Sequence, residues 1–164
     1  REVSRELCRH AVQNLEQTAE RMDLAQLARI VELFRQSEQV YFVGDMRELE
    51  CFYSLQLDLM CKGQAVDHCN FDEVKKDELP AMNEKTVVCI FSVSERYYPE
   101  ERQLLLEEAR ACRAHTVWFT QEGDAGEAEE TCYYGTAQSK NMGYYSLLLL
   151  EQVISAMLYR SDDA

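Results

Sequence analysis

Two stretches of helical periodicity open the chain, and then the period changes. Over residues 2–20, Val3, Leu7, Ala11, Leu15 and Thr18 fall along one side at helical spacing. Asp23 stands where a second helix would be capped, with Gln26 three residues on in a box-like arrangement. Leu24, Leu27, Ala28, Val31 and Phe34 then form its apolar stripe. After Ser37 the pattern shortens to an apolar run at 40–43 that ends in Gly44, as expected of a strand covered on both faces. Residues 49–62 return to a helical pattern that is apolar on more than one side, and Gly63 closes it.

The alternation then repeats. Residues 64–67 suit a second strand, Asn70 with Glu73 starts a short helix, and 86–91 is the clearest strand in the chain. Pro99 stands at a first helical position with Glu100 and Glu101 behind it, and that helix runs to about Arg113 on Leu105, Ala109 and Cys112. Residues 116–120 and 131–134 suit a fourth and a fifth strand, and 144–159 a last helix that is apolar nearly all round. Strands alternating with helices in this rhythm imply right-handed crossovers and an α/β fold with a doubly wound, five-stranded parallel sheet. No internal repeat interrupts it, and the acidic stretch 121–130 reads as a surface loop, with 123–126 an ordinary loop or a lid.

Composition narrows the function classes. The chain has 164 residues, room for one domain with an appendage, and it carries a net charge of −13. That charge argues against these residues gripping nucleic acid or an anionic membrane, since both depend on clustered cations. The longest apolar patch, 147–150, is far short of a membrane span, and no leader pattern follows Arg1. The start at Arg1 suggests a piece of something longer. The seven cysteines include no CxxC pair, which points to reduced, mostly buried thiols in a cytoplasmic protein with no metal site and no cofactor.

In a doubly wound sheet, ligands bind at the carboxyl ends of the strands where the strand order reverses. If the order is 2-1-3-4-5, that point lies between the first and third strands. The segments to inspect are then 44–49 and 92–99, each leading into a helix whose unpaired N–H groups suit an anion. Ser92 and Ser94 place two hydroxyls just past the third strand; they can donate to a phosphate or satisfy the turn itself.

These residues carry a resemblance. The lead-in at 14–18, the strand ending Val43-Gly44, the helix ending Lys62-Gly63, Ser92-Val93-Ser94 and the strand 116–120 together resemble the sugar isomerase (SIS) domain. More narrowly, the chain is similar to the effector-binding half of RpiR/MurR-type transcriptional regulators. That resemblance implies a Gly-x-Gly-x-Ser turn after the first strand and a Ser-x-Ser-Gly-x-Thr turn after the third, holding the phosphate of a sugar phosphate. Taking the two turns at those positions, the candidate ligand-binding residues are Gly44, Arg47, Glu48, Ser92, Ser94, Glu95, Arg96 and Tyr97. The sequence departs from both turns, with Met46 and Glu48 in the first and Glu95 and Tyr97 in the second. Losing the glycines removes close backbone approach. A carboxylate within about 5 Å of a phosphate would oppose its binding by a few kcal/mol at an effective dielectric near 20.

Three readings of the pocket follow. Arg47 and Arg96 supply the charge for a sugar phosphate bound in a modified way; or Glu48 and Glu95 meet an uncharged or cationic ligand; or the module only dimerises. For isomerase chemistry, His10, His68 and His115 are the histidines available, and only His68, placed after the second strand, lies near the right edge. A zinc site at His68 and Cys69 lacks further ligands. The expectation is therefore no enzyme. Residues 1–36 become a lead-in from a separate helix-turn-helix domain that would hold the DNA, and 37–160 the sensing domain. A homodimer is expected, with Val3, Leu7 and Leu15, or Val153, Ile154, Met157 and Leu158, facing the partner.

Overall fold

Asp23 shows how local chemistry starts an element here. Its Oδ1 accepts from the backbone N–H groups of Ala25 at 2.9 Å and Gln26 at 3.2 Å, capping the helix behind it. The Gln26 side chain does not close the box; its Nε2 donates to Glu130 and to the Thr131 carbonyl, both at 3.0 Å, pinning the helix to a distant strand. The computed structural model describes residues 2–92, 96–122, 126–135 and 143–160.

The elements run α1 (Glu2–Arg21), α2 (Leu24–Gln36), β1 (Gln39–Val43), α3 (Met46–Cys51), α4 (Tyr53–Cys61) and β2 (Ala65–Cys69). Short helical turns at Phe71–Glu73 and Lys76–Glu78 lead to β3 (Thr86–Phe91), α5 (Pro99–Ala111), β4 (His115–Thr120), β5 (Glu130–Tyr133) and α6 (Gly143–Arg160). The strands form one sheet in the order β2-β1-β3-β4-β5, and every neighbouring pair is parallel. Val43 pairs with Cys69 on one side and Ile90 on the other, so the order reverses between β1 and β3.

Side-chain alternation divides the core into two layers. Val40 and Phe42 of β1, with Val87, Cys89 and Phe91 of β3, pack against α2, α3, α4 and α6. Tyr41, Val43, Val88, Ile90 and Trp118 face α5 and the segment around Phe71. The first layer centres on Phe52, whose ring lies 4.7 Å from Phe91 and 5.0 Å from Phe119.

Phe52 also explains a difference from the periodicity. The single helix expected over 49–62 starts earlier, at Met46, and divides at Phe52 into α3 and α4. That residue is fully buried at φ −100° and ψ 8°, outside the helical well, because the aromatic cluster holds it there. The second strand runs on to Cys69, so His68 and Cys69 belong to β2 and not to a loop. Of the seven cysteines only Cys89 and Cys132 are buried, and all are free thiols. The partner-facing set on α6 also changes. Ile154 and Leu158 have no exposure and belong to the core, whereas Tyr145, Leu148 and Tyr159 are exposed large hydrophobic residues of that helix. On α1, only Asn14 and Thr18 are buried; Val3 and Leu7 are exposed. The segment 123–126 lies, but for Gly126, outside the described residues.

Candidate functional site at the reversal of the strand order

The turn after β1 is built around close packing. A Cβ on Gly44 would stand 2.9 Å from the Phe91 Cβ on β3, so only glycine lets the two strand ends come together. Asp45 caps α3, and Glu48, three residues on, turns its side chain back over the turn. Its Oε2 accepts from the Asp45 N–H at 3.0 Å, and its Oε1 accepts from the Tyr134 hydroxyl at 3.4 Å. Glu48 is 3% exposed, and this burial pushes its carboxyl from the ordinary 4.5 up to about 8. Burial also raises Asp45, helped by the negative charge of Asp72.

Arg47, beside Glu48, does not face the turn as a loose cation. Its guanidinium lies over the Tyr144 ring, 5.6 Å from the centroid, at the start of α6. Cys51 reaches the same segment, its Sγ 3.6 Å from the Tyr144 carbonyl oxygen.

The third-strand end serves a different purpose from the one its hydroxyl suggested. Ser92 is 2% exposed, and its Oγ accepts from the Trp118 indole N–H at 2.8 Å. A buried tryptophan needs such a partner. The Trp118 ring also carries the Arg102 guanidinium, 4.8 Å from its centroid, and Arg102 in turn pairs with Glu127 at 3.2 Å. Ser94 and Glu95 lie outside the described residues. Arg96 and Tyr97 are exposed beyond them. Tyr98 then adopts the left-handed conformation, φ 48° and ψ 53°, and stacks on Phe71 with centroids 4.8 Å apart. The carboxylates of Asp45 and Asp72, with burial between them in weight, raise its phenol.

The structure thus brings Gly44 and Glu48 against the end of β3, sends Arg47 towards α6, and commits Ser92 to the core. Sequence reasoning missed three contributors: Tyr134 after β5, Tyr144 on α6 and the Phe71–Tyr98 stack. Tyr98 had a signal, since the residue before proline is held out of the right-handed helical region. The others had none, because their elements meet only in the fold. Among the histidines, His68 is exposed on the edge strand, His10 lies on the exposed part of α1, and His115 begins β4 at its amino end. Among the described residues no group of three His, Cys, Asp or Glu side chains is placed to hold a metal ion. No helix among them is long and apolar enough to cross a membrane.

Comparison with solved structures places this architecture. The sugar isomerase domain of an RpiR transcription factor from Sphaerobacter thermophilus superposes with a TM-score of 0.79 at 13% identity, over 99% of this chain and 93% of that one. The NanR protein from Vibrio vulnificus, solved with ManNAc-6P, matches with a TM-score of 0.76 at 18% identity. That match covers 98% of this chain and 64% of NanR, so the chain spans somewhat under two thirds of that protein's length. A sugar-phosphate isomerase, so named, from Listeria monocytogenes matches with a TM-score of 0.76 at 9% identity, over 97% of this chain and 88% of that one. No protein-family model and no curated protein matches the sequence. At these identities the likeness establishes the fold alone: the chain shares the doubly wound architecture of these proteins.

Proposed function

We propose that this chain is the effector-sensing and oligomerisation domain of a bacterial RpiR-type transcriptional regulator. It binds a sugar phosphate or a related small metabolite at the ends of β1 and β3, and binding alters the grip of a separate helix-turn-helix domain on DNA. What supports this most is the match in fold to the sugar isomerase domain of an RpiR transcription factor, which extends over 99% of this chain. The net charge of −13 fits the same division, with DNA held by another, basic domain and not by these residues. In this reading residues 1–36 are the link to that domain, residues 37–160 sense and oligomerise, and the protein works in the cytoplasm without catalysing a reaction.

Exposed apolar side chains support a homodimer. Val3 and Leu7 on α1, Leu57 and Met60 on α4, and Tyr145 and Leu148 on α6 are all at least 42% exposed. Light scattering on the eluted peak should give twice the chain mass at micromolar concentration.

One observation favours an isomerase instead. A buried carboxyl raised to about 8, as at Glu48, is poised for proton transfer near neutral pH. Two assays on the gene's whole product separate the readings. Sequence-specific DNA binding that changes when a sugar metabolite is added supports the regulator. Turnover of a phosphosugar that disappears in Glu48→Gln, with no DNA binding, overturns it.

A further inference from the structure

One cavity stands apart from the strand ends described above. It lies between the α3–α4 pair and the end of β2, and none of the candidate ligand-binding residues lines it. Its volume is about 190 Å³. At about 30 Å³ per water, that is room for roughly six waters or one small organic molecule. Gln56, one turn past the break at Phe52, forms part of its wall and is 3% exposed. The Gln56 Nε2 donates to the Leu49 carbonyl at 3.1 Å, across that break, which fixes the amide. Among the described residues nothing donates to its Oε1. A polar side chain this buried is seldom left half-satisfied unless something meets it.

The rest of the lining says what could meet it. Met46 and Tyr53 are 66% and 60% exposed, large apolar side chains left uncovered beside the buried Leu49. The exposed Glu50 is the one acid of the wall, and no lysine or arginine lines it. On the strand side, Asn70 is engaged with Glu73, whose Oε2 accepts from its backbone N–H at 3.1 Å. The recess therefore offers a ring face, a carboxylate and an unmet amide oxygen, without an arginine or lysine to neutralise them. An ammonium group on an apolar body complements that set, since it brings donors, charge and covering surface together.

We infer that this recess binds a small amine, whose apolar body lies against Met46, Leu49 and the Tyr53 ring and whose ammonium donates to the Glu50 carboxylate and to Oε1 of Gln56. A neutral molecule of the same shape leaves Glu50 without a counter-charge, and an anion is repelled by it. The site lies apart from the ends of β1 and β3, so it needs neither the regulator nor the isomerase reading.

Amide NMR titration of the whole 164-residue chain tests it. The probes are phenethylamine, its neutral counterpart 2-phenylethanol, and the anionic 3-phenylpropionate. Phenethylamine should give saturable shifts centred on residues 46–56 and 68–70. The alcohol and the carboxylate should bind about 10-fold more weakly, having lost the ion pair and the cation–ring contact. Glu50→Gln and Tyr53→Ala, both at exposed positions, should each weaken phenethylamine about 5-fold with the Tm unchanged. Gln56→Met, which has the length of the side chain without its acceptor oxygen, should weaken it too. Should that buried variant fail to fold, the two exposed ones still decide. No saturable shift with phenethylamine overturns the inference, with water alone filling the recess. An alcohol that binds as tightly as the amine, shifts centred elsewhere, or full affinity in Glu50→Gln overturns it as well.

Discussion

Glu48 ties the site to stability, and pH separates its contribution from every other. Its carboxyl is raised from 4.5 to about 8, chiefly by burial, against the opposing hydrogen bond from the Asp45 N–H. A raised carboxyl means that the folded chain holds a proton that the unfolded chain has released. Stability from this group is therefore fully present below about pH 4.5 and is lost as pH rises through about 8. Between pH 5 and pH 8 the loss is about 4 kcal/mol, at about 1.4 kcal/mol per pH unit. For a domain of this size that corresponds to a fall in Tm of roughly 8–16 °C. Glu48→Gln keeps the shape of the side chain and removes the titration. Its Tm should fall less over the same range, so the two curves should lie closest near pH 5 and diverge as pH rises towards 8. Asp45 is raised in both proteins, so its own titration largely cancels in the difference. Thermal unfolding of both proteins from pH 5 to pH 8 measures this directly. Parallel curves would refute the claim that Glu48 is held protonated by burial.

Three more outcomes follow from packing. Ser92→Ala leaves the buried Trp118 indole N–H unpaired and should cost about 1–3 kcal/mol, read by urea unfolding on the fluorescence of the single tryptophan. Gly44→Ala puts a methyl group 2.9 Å from the Phe91 Cβ, an atom anchored to a central strand, and should cost about 1–3 kcal/mol in the same assay. Phe52→Ala empties the centre of the aromatic cluster and should cost about 3–5 kcal/mol, with α3 and α4 losing amide-exchange protection together.

Much of the fold was legible along the chain. The run 86–91 is apolar at nearly every position because β3 is central and covered on both faces. Pro99 marked the start of α5, and Gly63 the end of α4, because each residue's backbone preference suits that place. The misreadings had tertiary causes. The break at Phe52 is set by rings from β1, β3 and β4, none of which a helical period can register. The extension of β2 through His68 follows from pairing with Phe42 on β1, which outweighs the polar side chains of an edge strand.

Of the candidate site, the sequence determined the place and the charge. Alternating periods imply a parallel doubly wound sheet, such a sheet binds at its reversal point, and Glu48 stands there because it follows the first strand by a fixed number of residues. Only the tertiary structure decided how the side chains are used. It turned Ser92 inward to a tryptophan 26 residues away, drew Arg47 onto α6, and closed Tyr134 over Glu48 from 86 residues away. The physical reason is that spacing along a chain places a residue on an element, whereas a hydrogen bond depends on which buried partner lacks one. That partner is chosen only when the elements pack.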